Sequence, residues 1–447
     1  MKRLFALFLA VVLCGVCMTP AQVQAVEGLT YEVVNGKVTV TGYDGELTGT
    51  LDIPATIENY PVTAIAPNAF FGTEGLERVN IPKSVTGIGE YAFGGCPSLT
   101  GIFVDSKNTA YASDDAGVLM SKDKTQLIQA PGAITGYTMA STVTTVREGA
   151  FYNCRKLTQV TMGSKVSVIE DFAFGGTALQ TLTLGNTVTK IGDFAFAYCR
   201  DLTQLALGSK LTTIGDYAFG ECYALTQVTI PAAVTQIGDL AFAYCHSLTG
   251  IFVDSKNTAY ASDEAGVLMN KDKTLLIQAP GALTVYTMPE GVTTVAGSAF
   301  REIQNLTEVT LASTVGQIGA YAFEYCDHLD TVVFLGDAPE IHAQAFTQVT
   351  AKAYYPKDND TWTQEVKGNY GGKLSWRPGL PTDLTGDING DDVIDNEDVA
   401  TLLWYTLFPE DYVICGHGDF TGDGMVNNED VAYLLWHTLF PADYPIG

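Results

Sequence analysis

The sequence predicts an α/β repeat solenoid, parallel strands joined by short helical turns, followed by a small all-α domain at the C-terminus. Three observations carry that expectation. An Ala-Phe pair recurs ten times, mostly at steps of 22 or 23 residues. Alternation of apolar and polar residues marks a short strand in each unit, as in Thr226 to Ile230. Residues 383–447 then hold fourteen Asp and Glu with no Lys or Arg, an abrupt change from the preceding chain.

The chain opens with Met1-Lys2-Arg3, an apolar run from Leu4 to Val16 and the small-residue ending Val23-Gln24-Ala25. Those are the three zones of a secretory signal, with cleavage expected after Ala25. The apolar run is shorter than the roughly 20 residues a membrane span needs. Cys14 and Cys17 follow Leu13 and Val16, so a lipid anchor at a cysteine is not indicated. A secreted, extracellular chain is therefore expected. The net charge of −26 argues against nucleic acid and anionic membranes as partners, and for solubility and cation binding.

Residues 26–60 read as an N-terminal capping hairpin, because Leu29 to Val40 alternates around the turn Asn35-Gly36. Residues 61–350 carry the repeats. The Phe of each pair falls at positions 70, 93, 151, 174, 196, 219, 242, 300, 323 and 346. A unit of this length cannot bury its own apolar face, whereas stacked neighbours can, so the units must form a continuous rod. At about 5 Å per parallel strand, ten units give a rod on the order of 50 Å. Two steps are 58 residues long and contain nearly the same text, residues 101–132 and 250–281, offset by 149. In the first, Gly117 to Met120 and Thr125 to Ile128 flank Ser121-Lys122-Asp123-Lys124 and predict an inserted hairpin. Residues 351–377 break the period and read as the second cap. Residues 378–383 read as a linker.

Ala-Phe with its flanking Ile-Gly, Cys, Leu-Thr and Val-x-Ile positions resembles the BspA-type (treponemal) leucine-rich-repeat family over roughly residues 28 to 376. Because equivalent positions stack, each one forms a column. Cys96, Cys154, Cys199, Cys222, Cys245 and Cys326 all sit three residues after the Phe. They read first as small buried fillers, with disulfides between coils as the alternative. Glu90, Asp171, Asp193, Asp216 and Asp239 sit two residues before the Ala. They read first as caps of the helical turns, with a cation- or sugar-binding stripe as the alternative. Tyr198, Tyr244 and Tyr325 read as half-buried packing or as stacking platforms for glycans.

The acidic tail, residues 384–447, is more specific. Asp387, Asn389, Asp391, Asp395 and Asp398 place side-chain oxygens at positions 1, 3, 5, 9 and 12 of a twelve-residue loop, and Asp419, Thr421, Asp423, Asn427 and Asp430 repeat the pattern. Calcium takes six to eight hard oxygen ligands, so two Ca²⁺ ions are expected. The carbonyls of Val393 and Met425 would supply position 7, and Asp398 and Asp430 would bind through both oxygens. Asp392 stands where Gly is usual, and Thr421 is a poorer ligand than Asn, which makes the second site the weaker one. Each loop leads into an apolar stretch, Val399 to Phe408 and Val431 to Phe440. A helix apolar all round must bury both faces.

This duplicated loop and helix looks like a type I-like dockerin module. The resemblance implies docking onto a cohesin domain of a scaffoldin, as in cellulosome-like complexes that degrade polysaccharides. It further implies recognition by Asn396, Glu397, Leu403, Trp404 and Phe408, with Asn428, Glu429, Leu435, Trp436 and Phe440 as a quasi-symmetric set. No nucleophile elbow, His-x-x-x-His or phosphate-binding glycine loop is present. The expected function is thus a secreted, non-catalytic binding or adhesion protein with an unknown glycan or protein ligand on the rod. A polysaccharide-acting enzyme with an unrecognised site in the repeats is the alternative.

Overall fold

The computed structural model describes residues 28–380, 388, 394–409, 418, 420–421 and 425–440. The chain enters through an antiparallel pair, Leu29–Val34 with Lys37–Tyr43. Asn35 and Gly36 both take left-handed φ, 51° and 71°, which the two-residue turn requires. The second strand then pairs in parallel with Tyr60–Ile65, so the hairpin's edge templates the first coil.

The repeats build two parallel ladders rather than the single one expected. One uses the Val-x-Ile alternation: Val228–Ile230 pairs with Ile251–Val253, and Glu308–Leu311 with Thr331–Phe334. The other uses the two residues that lie five and four positions before the Ala, in the order Thr145, Val168, Lys190, Thr213, Gln236 at successive rungs. The inserted segments are three-stranded. Tyr111–Ser113, Leu119–Ser121 and Gln126–Gln129 run antiparallel, and the last strand joins the ladder through Leu127 to Val146. The insertion therefore does not hang between coils; its final strand replaces a rung. Residues 260–262, 268–270 and 275–278 repeat this arrangement.

No helix lies among residues 28–380, so the expected helical turns are corrected. The Ala-Phe segments are tight turns whose amides bond across coils. Phe151 donates to the Ala173 carbonyl at 2.7 Å, Phe174 to Ala195 at 2.7 Å, Phe196 to Ala218 and Phe219 to Ala241 at 2.8 Å. A helix would have consumed those groups internally. Two columns of left-handed residues make the turn possible. One immediately precedes the Ala (Phe172, Phe194, Tyr217, Leu240) and one lies two residues after the Phe (Asn153, Tyr198, Glu221, Tyr244). Non-glycine side chains in that region carry strain of order 1 kcal/mol each, which the inter-coil hydrogen bonds offset.

The core is a stack of phenylalanines. Phe174, Phe196 and Phe219 lie 5.0 and 5.2 Å apart with planes within 3°, and all are fully buried. Alanine before each Phe is equally buried, leaving no room for a larger neighbour. At the far end the period stops where Thr350–Tyr355 pairs with Lys373–Pro378. Trp362, Trp376, Tyr355 and Phe334 close the apolar column there, with rings 4.9 to 6.3 Å apart.

The six column cysteines are free and buried. Each thiol instead donates to a backbone carbonyl of the preceding coil, as Cys222 to Phe196 at 3.3 Å and Cys326 to Phe300 at 2.9 Å. Burial pushes Cys96 and Cys199 up to about 11, and Cys154 and Cys326 up to about 12. Almost no reactive thiolate then exists near neutrality. In a Cys415→Ser form of residues 26–447, all six thiols are expected to resist Ellman's reagent at about pH 8 until denaturant is added. Rapid labelling of the native chain would contradict this burial.

Candidate functional site

Two candidate regions stand out, the C-terminal helix pair and the outer turns of the rod. In the first, α1 (Asn396–Leu407) and α2 (Asn428–Leu439) start from the same device. Asp395 and Asn427 cap the helices by accepting from the amides of Glu397 and Glu429, both at 2.7 Å. Asp398 and Asp430, both fully buried, close each capping box from the third helical position.

These two aspartates also tie down their loops. Asp398 accepts from the Ile388 amide at 2.6 Å through one oxygen and from the Asp395 amide at 2.8 Å through the other. Asp430 accepts from the amides of Phe420 (2.7 Å) and Thr421 (2.9 Å) and from the Thr421 hydroxyl (3.1 Å) through Oδ1. Its Oδ2 takes the Asn427 amide at 2.9 Å. Burial opposes ionisation of Asp430, but the donated hydrogen bonds outweigh it and hold the carboxyl below the usual range. The charged form is thus the one the fold selects, as a metal ligand requires.

Of the expected calcium ligands, Asp395, Asp398, Thr421, Met425, Asn427 and Asp430 fall among the described residues. Asp387, Asn389, Asp391, Val393, Asp419 and Asp423 lie outside them. No cluster of three or more His, Cys, Asp or Glu that could hold a metal occurs among the described residues alone. The donor chemistry of the part that is described, a buried carboxylate at the end of each loop, fits a hard cation.

The module's core is small: Ile388, Val399, Leu402, Val431 and Leu434, with Ile394, Phe420 and Val426 against it. The opposite faces are left exposed. Leu403, Trp404 and Phe408 on α1 match Leu435, Trp436 and Phe440 on α2, with Trp404 46% and Trp436 45% exposed. Each Trp stacks on its Phe, at 5.9 and 5.7 Å. Asn396, Glu397, Asn428 and Glu429 are exposed at the start of the same helices. Thr406 donates to Asn428 at 3.2 Å and Thr438 to Asn396 at 3.5 Å, so the two halves are joined by a reciprocal pair of bonds. Sequence reasoning missed Leu407 and Leu439, which extend both exposed ridges. Their spacing of four from Leu403 and Leu435 was the available signal.

On the rod, the acidic column caps no helix. Three of its five carboxylates reach one coil onward: Asp171 accepts from the Asp193 amide, Asp193 from Asp216 and Asp216 from Asp239, all at 2.8 Å. The glycine before each Asp is what permits this approach. A Cβ at Gly215 would lie 2.4 Å from Asp193 Oδ1, and one at Gly238 2.2 Å from Asp216 Oδ1. Glu148 occupies the same register and was overlooked. It accepts from the Tyr91 hydroxyl at 3.2 Å, and burial together with neighbouring Glu90 raises its carboxyl above the usual range. Tyr198, Tyr244 and Tyr325 sit at the second left-handed position, with Tyr198 and Tyr325 exposed. Tyr198 and Tyr244 belong to an outer aromatic band in which Phe172, Phe194, Tyr217 and Tyr244 succeed one another at 4.8, 5.1 and 5.8 Å, with Tyr198 against Tyr217 at 6.2 Å. No helix among the described residues is long and apolar enough to cross a membrane.

Solved structures similar to this chain include a leucine-rich cell surface protein from Faecalibacterium prausnitzii, 23% identical, covering 81% of this chain and 96% of that one at a TM-score of 0.47. A leucine-rich repeat protein from Bacteroides ovatus is 18% identical, covering 79% and 99%, with a TM-score of 0.40. The pneumococcal vaccine antigen PcpA is 18% identical, covering 80% and 98%, with a TM-score of 0.35. No curated protein matches the chain. The model of the BspA-type leucine-rich-repeat region matches residues 50–115, 130–249 and 280–356 in six copies, more than half of the chain. With its coils, phenylalanine stack and Ile-Gly turns, the chain belongs to the BspA-type leucine-rich-repeat family.

Proposed function

We propose that the protein is a secreted, non-catalytic binding or adhesion protein. Its rod presents the ligand-binding surface, and its C-terminal module attaches it to a scaffold through a calcium-dependent dockerin-cohesin contact. The associated process would be polysaccharide degradation on a cellulosome-like assembly. The observation that carries this reading is the pair of matched exposed ridges, Leu403-Trp404-Phe408 and Leu435-Trp436-Phe440, each standing directly after a buried, loop-closing aspartate. An exposed indole and phenyl together offer the aromatic anchor that interface cores use.

The test is capture of a purified type I cohesin domain by the full chain, with calcium and with EDTA. Binding is expected in calcium only. Because the ridges are equivalent, Trp404→Asp and Trp436→Asp should each retain capture while the double variant loses it. Equal capture in EDTA, or no capture of cohesins of any type, would overturn the attachment mechanism.

A further inference from the structure

The step from Phe174 to Phe196 is 22 residues, where every other uninterrupted step is 23. The missing residue belongs to the outer turn. Phe174 to Leu179 reads Phe-Gly-Gly-Thr-Ala-Leu, against Phe-Tyr-Asn-Cys-Arg-Lys-Leu from Phe151 and Phe-Ala-Tyr-Cys-Arg-Asp-Leu from Phe196. One coil is therefore short, and carries only Gly, Thr and Ala there, between two full ones. The result is a notch of about 500 Å³ lined by Tyr152, Asn153, Arg155, Tyr198, Arg200 and Asp201 over a floor of residues 176–178.

The notch is held open by rigid neighbours. Its floor is pinned by the buried Thr177 hydroxyl against Cys199 Sγ at 3.2 Å and by the Gly176 amide on the Ala197 carbonyl at 2.8 Å. Any side chain at Gly176 would meet Asn153 Oδ1 at 2.5 Å, and its φ of +71° excludes most residues. Tyr152 is wedged among Phe71, Tyr91 and Phe172 at 6.1, 5.7 and 6.1 Å. Arg200 is fixed by Glu221 at 2.9 Å and lies 5.0 Å over the Tyr223 ring. Among the described residues Arg155 has no carboxylate partner, although the chain carries 50 acidic residues against 24 basic ones. The walls stand two rungs apart, on the order of 10 Å at the usual inter-strand spacing. That admits one ring in van der Waals contact with each side.

We propose that this notch binds a hexuronate residue of an acidic polysaccharide. The tyrosines cover the sugar's apolar faces, Asn153 and Asp201 hydrogen-bond its hydroxyls, and Arg155 pairs with the carboxylate through its planar fork. The proposal names the ligand class of the rod and so rests on reading the rod as a binding arm.

Isothermal titration of the full chain in calcium decides it, with trigalacturonate and a hyaluronan tetrasaccharide as probes and galactotriose as the neutral control. Binding of at least one acidic probe is expected, and which one binds distinguishes a plant from an animal source. Galactotriose should bind at least tenfold more weakly. Arg155→Ala and Tyr198→Ala should each weaken binding tenfold or more. Ala178→Trp, which fills the notch from its half-buried floor, should abolish it, and Tyr325→Ala, in the same column but remote, should leave it unchanged. Circular dichroism verifies that each variant is folded. Failure of both acidic probes, equal binding of the neutral sugar, or full affinity in Ala178→Trp overturns the hexuronate site. Cohesin capture is measured separately, so that failure would leave the attachment reading standing.

Discussion

Phe219→Ala is expected to lower stability by about 3–5 kcal/mol, the range for deleting a fully buried ring. Phe219 lies between Phe196 at 5.2 Å and Phe242 at 5.5 Å, with all planes within 2°. Each coil touches only its neighbours, so the cavity cannot be absorbed by distant repacking. The rod should also lose cooperativity at that rung. Urea unfolding followed by circular dichroism is expected to change from one transition to two, the coils on either side melting separately. A loss below about 1 kcal/mol with a single transition would show that the phenylalanine stack is not the rod's main support.

Asp430→Ala is the second large effect. Removing that carboxylate strands the part-buried amides of Phe420, Thr421 and Asn427, which all donate to it. A donor left without its partner costs about 1–3 kcal/mol where water cannot reach it, and among the described residues the module has five buried core side chains to set against three such losses. The variant's module is expected to stay unfolded with or without calcium. Asp430→Asn keeps the shape but turns a carboxamide N–H toward a backbone donor or a cation, so it should fold at best weakly and gain nothing from calcium. In the parent chain calcium should raise the melting temperature of the helical signal at 222 nm, and EDTA should lower it, since metal binding and folding are coupled in so small a unit. A helical signal indifferent to calcium, EDTA and both substitutions would remove the metal from the account.

Much of the rod was legible because its information is local and repeated. Ten Ala-Phe marks announce a stack, and the alternation that follows each Leu-Thr announces one strand per unit without any knowledge of neighbours, whereas the two-residue strands before each Ala-Phe are too short to leave a pattern. The helical turns were misjudged because propensity describes a segment alone. At Phe172 and Phe174 the amides find better partners in the next coil, the carbonyls of Asp193 and Ala195, than a helix would give them. The acidic column shows the same thing: from sequence, Asp193 reads as a cap of its own turn, whereas its carboxylate bonds the Asp216 amide one coil onward.

Residue type and spacing were enough for the period, the solenoid, its hairpin and aromatic ends, and two C-terminal helices whose apolar faces exceed what their own core can bury. All of these follow from residue type and spacing, which act over a few positions of chain. Only the tertiary structure decided that the turns are left-handed rather than helical, that the cysteines stay thiols bonded to the previous coil, and that a single missing residue opens a notch beside Arg155. Each of these depends on atoms about 23 residues apart being brought to within roughly 3 Å, and a one-dimensional pattern does not contain that distance.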